Sequence, residues 1–225
     1  LSALRIMMGA NARLGEEGYQ MVTLFLNDDG ALARLPKLLA THFADAYLLL
    51  VSSQNMSITR PFEKLSCPVV TSGYGAAGEN IFPTVNIDNR QATADITRFV
   101  IKRGRTKLAY MEGPRPNYSC KERLAGFRDA AHNLTNVVYC TANGWSREDG
   151  VAAAESISDH FDDIDALICA NDSLAIGAMS ALRRHGKQIP DDVAVAGFDN
   201  SPEALSATPQ LTTVEQYLER NGREM

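Results

Sequence analysis

Residues 166–198 read ALICANDSLAIGAMSALRRHGKQIPDDVAVAGF. Ala166–Ala170 is an apolar run of strand length, Ser173–His185 carries apolar residues at helical spacing, and Val193–Phe198 is a second apolar run. Strands that are apolar almost throughout, separated by an amphipathic helix, belong to a parallel sheet with both faces covered, because a solvated face would demand polar residues at every second position. An α/β chain follows.

The alternation extends in the N-terminal direction. Helical periodicity marks Leu1–Glu17, Leu32–Phe43, Ile58–Leu65 (with Pro61 in its first turn), Asn89–Arg103, Ser119–Asn133 and Ser146–His160. Between them, Tyr19–Leu26, Asp45–Val51, Cys67–Thr71, Pro83–Ile87, Lys107–Met111 and Val137–Cys140 read as strands. Gly18 and Gly104 close two of the helices. About four strand–helix units stand on each side of Gly104, each half the size of one doubly wound lobe. The expected architecture is two doubly wound parallel-sheet lobes with a ligand cleft between them. Residues 1–103 with 215–225 form the first lobe and 104–214 the second. Open α/β sheets take ligands at the carboxyl ends of their strands.

Composition narrows the function. In 225 residues, 22 Lys+Arg stand against 27 Asp+Glu, a net charge of −5. That lacks the basic excess with which a self-sufficient nucleic-acid binder neutralises phosphates. The longest apolar run, near Ala46–Val51, is far short of the ~20 residues of a membrane helix. Cys67, Cys120, Cys140 and Cys169 show no CxxC spacing, and Cys67 and Cys169 fall in apolar runs, which points to a reducing compartment.

Enzymatic signatures are weak. Gly73-Tyr74-Gly75-Ala76-Ala77-Gly78 fits the dinucleotide pattern and follows a strand, but Glu79–Pro83 does not open the helix whose N-terminus would hold a pyrophosphate. Ser119 and Ser173 have no nucleophile-elbow context. His42, His132, His160 and His185 are scattered over helices without metal-ligand spacing and read as solvated. Asp162-Asp163 and Asp191-Asp192 read as turn residues. Neither catalysis nor a cofactor or metal is expected.

A different set converges. Asn117, Ser119 and Arg123 follow the strand Lys107–Met111, Trp145 follows Val137–Cys140, Asn171 and Asp172 follow Ala166–Ala170, and Asp199 and Asn200 follow Val193–Phe198. All lie at the carboxyl edge of one parallel sheet. Arg and Asx side chains supply paired hydrogen bonds and an indole packs the apolar face of a ring, the chemistry of polyol recognition. Each residue alone has a plain alternative. Asn171 or Asp199 could cap the next helix, Arg123 could lie along a surface helix, and Trp145 could fill a helix–sheet interface.

The chain resembles the effector-binding and dimerisation region of LacI/GalR-family transcriptional regulators. The matching stretches are NIDNR (86–90), RGRTKLAY (103–110), RLAGF (123–127), GWSREDG (144–150), ANDSLAIGA (170–178), IPDDVAVAGFDN (189–200) and TPQLTTVEQ (208–216). The last two together favour regulators over periplasmic sugar receptors of the same fold, which remain the alternative. The resemblance implies a periplasmic-binding-protein-like fold and a carbohydrate effector held by Asn117, Ser119, Arg123, Trp145, Asn171, Asp199 and Gln216. Asp88 would cap the helix at Asn89, and Gln91 is a weaker contact. It further implies a cytoplasmic homodimer or tetramer that reaches operator DNA through an N-terminal helix-turn-helix outside these residues. The family's opening strand and closing segment are expected outside them too, leaving the first lobe's sheet incomplete in this sequence.

Overall fold

The computed structural model describes residues 2–26, 29–51, 59–73 and 81–225. In chain order its elements begin with α1 (Ser2–Glu16), α2 (Asp29–Leu39), β1 (Tyr47–Leu50), a 3-10 turn at Arg60–Lys64, β2 (Val69–Ser72) and β3 (Thr84–Val85). Next come α3 (Asn89–Lys102), β4 (Leu108–Glu112), α4 (Tyr118–Ala131), β5 (Val138–Thr141), α5 (Arg147–Glu155) and a second 3-10 turn at Ser158–His160. The chain ends with β6 (Ala166–Cys169), α6 (Asp172–Arg184), β7 (Ala194–Ala196), α7 (Pro202–Ser206) and α8 (Leu218–Glu224). Two compact units result, Leu1–Asn86 with Tyr217–Met225, and Ile87–Gln216. No helix of the described residues is long and apolar enough to cross a membrane.

In the first unit, β1, β2 and β3 form a parallel sheet in that order, with Tyr47 opposite Val69 and Thr71 opposite Thr84. Leu35, Leu39, Leu49, Phe62 and Val69 make its core. Helix α8 packs along α1. Residues 19–26 form no strand, although the sequence there is β-branched and aromatic. A strand exists only by pairing, and this segment has no ladder partner among the described residues, so Val22 and Phe25 stay exposed. The helix expected from Ile58 shortens to the 3-10 turn; Ile58 itself lies outside the described residues.

The second unit carries a four-stranded parallel sheet in the order β5-β4-β6-β7. Both of its faces are buried. Ala109, Met111, Cys140, Leu167 and Cys169 pack under α5 and α6, and Leu108, Tyr110, Ala166 and Ile168 pack under α3 and α4. This is the doubly wound arrangement expected from the apolar strands. Helix α3 packs along α4, so it belongs to this unit and the boundary falls at Ile87; the sequence division had α3 in the first lobe. The predicted helix Ser146–His160 stops at Glu155 and ends in a separate 3-10 turn. The order 2-1-3-4 places a topological switch between β4 and β6, where chain exits to opposite sides open a crevice at the carboxyl ends.

Candidate ligand-binding site

Arg123 projects from α4 into that switch point. Its side chain is only 8% exposed, an unusual place for a guanidinium, and it is held on every side. Nε donates to Asn89 Oδ1 at 2.8 Å, Nη1 donates to the Ala170 carbonyl at 2.5 Å, and the guanidinium stacks 3.7 Å from the centre of the Phe198 ring. Asp199 Oδ1 lies 4.0 Å from Nη1. A buried cation needs such partners, because desolvation otherwise costs several kcal/mol. Arg123 is therefore fixed before any ligand arrives.

Asp199 follows β7 with φ of 127°, in the region that few side-chain-bearing residues adopt. Its backbone is pinned by an N–H donated to the Val214 carbonyl, and Gln216 Nε2 donates to its Oδ1. Burial pushes the Asp199 carboxyl up to about 6; the Arg123 charge pulls the other way, and Asp172 and Glu215 add like charge. Asp172 beneath it is almost wholly buried. Its carboxylate accepts from Thr213 Oγ1 at 2.5 Å and from the Ser201 N–H at 2.7 Å, which ties the 201 and 213 segments to the start of α6. Burial raises its carboxyl too, against those hydrogen bonds.

The helix-capping alternative holds for Asn171, and Asn117, for which sequence reading raises no such alternative, is a cap as well. Asn171 Oδ1 accepts from the Leu174 N–H at 2.8 Å as the N-cap of α6, and Asn117 Oδ1 accepts from the Cys120 N–H at 3.1 Å as the N-cap of α4. Asp88 caps α3 through the Gln91 N–H, as the resemblance implied, and the Gln91 side chain donates to Asp95. Asp199 caps no helix; Ser201 does so for α7. Trp145, 36% exposed, lies against the backbone at Gly113, where a Cβ would come within 2.5 Å of the indole. Ser119 is half-buried in the first turn of α4.

Arg123, Asp199 and Gln216 thus form one contact group, with Asn171 joined through the Ala170 carbonyl. Sequence reading places Asp172 at this edge without its role, which is to latch the loops, and it misses two supports, Asn89 and Phe198, which hold Arg123. Asn89 directly follows Asp88, but nothing local distinguishes the partner of an arginine 34 positions away.

The other candidates fall elsewhere. Gly73 has φ of 90° at the end of β2, and the rest of the Gly73–Gly78 motif lies outside the described residues. All four histidines are exposed. Among the described residues no cluster of His, Cys, Asp and Glu could hold a metal ion. A groove of about 1010 Å³ at the amino ends of β4 and β5 is lined by residues such as Lys107, Asn136, Tyr139 and His160, all exposed and none in the contact group.

Comparison with known proteins bears on the family and the fold. A family model described as a periplasmic binding protein-like domain matches residues 97–225. The chain is 32% identical to the HTH-type transcriptional regulator CelR of Thermobifida fusca, over 98% of this chain and 66% of that protein. It thus spans slightly less than two thirds of that relative's length. A solved complex of the transcriptional regulator CelR with cellobiose matches with a TM-score of 0.86 and 30% identity, covering 100% of this chain and 70% of that one. A LacI family transcriptional regulator from Silicibacter pomeroyi matches with a TM-score of 0.82 and 26% identity, covering 100% and 85%.

Proposed function

Since the chain belongs to the periplasmic binding protein-like domain family, in the form carried by LacI-family transcriptional regulators, we propose that it is the effector-sensing region of such a regulator and takes a sugar at the carboxyl edge of its four-stranded sheet. The observation that carries the reading is the Arg123–Asp199–Gln216 group. It is a pre-positioned set of planar donors and acceptors at a topological switch point, with Arg123 buried, Asp199 and Gln216 partly so, and an indole at the same edge. Planar forks of this kind match vicinal hydroxyls, and a fixed set loses little entropy on binding.

The likeness to a cellobiose-bound regulator supports a carbohydrate and favours a regulator over a transport receptor of the same fold. In this reading the intact protein is a homodimer. Effector occupancy reorients its lobes and so changes the spacing of two DNA-binding heads; effector and operator affinities are then linked reciprocally. The residues proposed to touch the sugar are Asn117, Ser119, Arg123, Trp145, Asn171, Asp199 and Gln216.

Calorimetric titration of the intact protein with cellobiose, ribose and other neutral sugars tests the proposal. At least one sugar should bind, with Asp199→Ala weakening it tenfold or more. Equal binding by both proteins would remove Asp199 from the site, and no binding of any sugar would end the carbohydrate reading.

A further inference from the structure

The last residue of β4 is an oddity. Glu112 ends an apolar strand, yet its side chain is only 8% exposed. Its carboxylate is held by both arms of Arg115, with Nε donating to Oε1 at 2.8 Å and Nη2 donating to Oε2. Arg115 itself is 65% exposed. A buried carboxylate without a partner costs several kcal/mol, so Glu112 depends on Arg115. The reverse matters more for function. The carboxylate fixes the plane of an exposed guanidinium, and a two-armed pair occupies two of its five N–H donors.

This pair adjoins the site. Gly113, the next residue, is the backbone on which the Trp145 indole lies, and the Cys120 thiol, 2.9 Å from the position a Gly113 Cβ would take, feels the charges of Arg123, Glu112 and Arg115 together. The sheet order sets the sequence along the edge. Trp145 comes from the β5 side, Glu112 and Arg115 from β4, and Arg123 and Asp199 stand over β6 and β7. Arg123 thus stands one strand spacing from β4 and Asp199 two, about 5 and 10 Å at ~4.8 Å each. A ring held between Arg123 and Asp199 lies over β6 and β7, which leaves the edge over β4 and β5, with Arg115 and Trp145, for a second ring.

We propose that Arg115, aimed by Glu112, is a specificity-determining residue that donates to the hydroxyls of a second sugar ring, beyond the ring held by Arg123 and Asp199. The inference rests on the carbohydrate reading of the same edge. Neither group carries surplus positive charge: Glu112 neutralises Arg115, and Arg123 faces Asp199 with Asp172 and Glu215 nearby. The site therefore selects an uncharged saccharide of two or more rings over a monosaccharide, and over sugar phosphates or uronates.

The test is calorimetry on the intact protein with cellobiose, glucose and glucose 6-phosphate. Wild type should bind cellobiose at least tenfold tighter than glucose and glucose 6-phosphate more weakly still. Removing both partners together, Glu112→Ala with Arg115→Ala, avoids stranding a buried charge. It should cost cellobiose tenfold or more while changing glucose less than threefold, with the melting temperature reporting that the fold is kept. Glu112→Gln should raise the relative affinity for glucose 6-phosphate by exposing an unneutralised guanidinium. Equal losses for both neutral sugars, or none for either, would overturn the role of Arg115 and leave the carbohydrate reading standing. If wild type binds none of these or other sugars, that reading falls and this inference with it.

Discussion

Asp199 is both a structural liability and a ligand acceptor, and pH separates the two. Its folded value of about 6 stands above the ~3.9 of an unfolded Asp, so the folded protein holds this proton more tightly than the unfolded chain. Its stabilising contribution is therefore complete below about pH 4 and is lost as pH rises through 6. Asp199→Asn should relieve the cost of the buried charge. Urea denaturation at pH 7.5 should show the variant gaining on the order of 2–3 kcal/mol relative to the same comparison at pH 4, the equivalent of roughly two pH units. Sugar affinity should move the other way in wild type, weakening below pH 6 as the acceptor is protonated, and stay flat in the variant. A wild-type affinity independent of pH from 5 to 8 would contradict both the titration and the acceptor role. Asn171 poses a related choice, between cap and ligand contact. Serine caps as well as asparagine but lacks the amide, so Asn171→Ser should hold stability within about 0.5 kcal/mol. A sugar affinity as unchanged as the stability would leave Asn171 a cap alone.

Between elements, some of the tightest contacts in the second unit are backbone to backbone. Helices α3 and α4 cross at Gly126, where a Cβ would lie 1.9 Å from the Arg90 carbonyl oxygen. In an open helix, glycine to alanine stabilises by up to about 1 kcal/mol. At Gly126 the sign should reverse. Gly126→Ala must push α3 off α4, with a loss of roughly 1–3 kcal/mol or more by overpacking, and α3 carries the Asn89 that holds Arg123. Gly15→Ala in α1, where nothing lies within 4 Å, is the control and should be neutral or stabilising. Denaturant midpoints of the two variants decide it, and a stabilising Gly126→Ala would refute the close crossing. This scale also shows where sequence reading stops. The strands of the second unit were legible because burial on both faces writes itself as apolar runs such as ALIC and AVA. Residues 19–26 carry the same composition without a strand, because pairing is a long-range property. The site was legible as positions just past strand ends. Glu112 was not, since a carboxylate that closes a strand looks like a turn residue until Arg115 is seen to neutralise it.

At the scale of the molecule, the two units are built to different depths. The second has a sheet buried on both faces, with β4 and β6 flanked on either side by paired strands and covered by two helical layers. Leu108, Ala109, Tyr110, Met111 and Leu167 are wholly enclosed. The first has four-residue strands, a two-residue β3, and a core of five buried side chains around Leu35 and Phe62 among the described residues. Apolar burial contributes about 25 cal/mol per Å², so local opening should cost far less in the first unit than in the second. Hydrogen exchange of the effector-free protein should therefore find the amides of β1 and β2 exchanging at least tenfold faster than those of β4 and β6. Saturating sugar should slow exchange most at residues 112–120, 170–172 and 198–200, the segments that end the strands of the second unit, because a ligand that binds the folded form alone raises the cost of opening where it binds. Equal protection of β1 and β4 in the free protein would show that the units open as one cooperative body. Sugar-induced protection confined to the amino-terminal groove around Tyr139 would move the effector site to the opposite edge of the sheet.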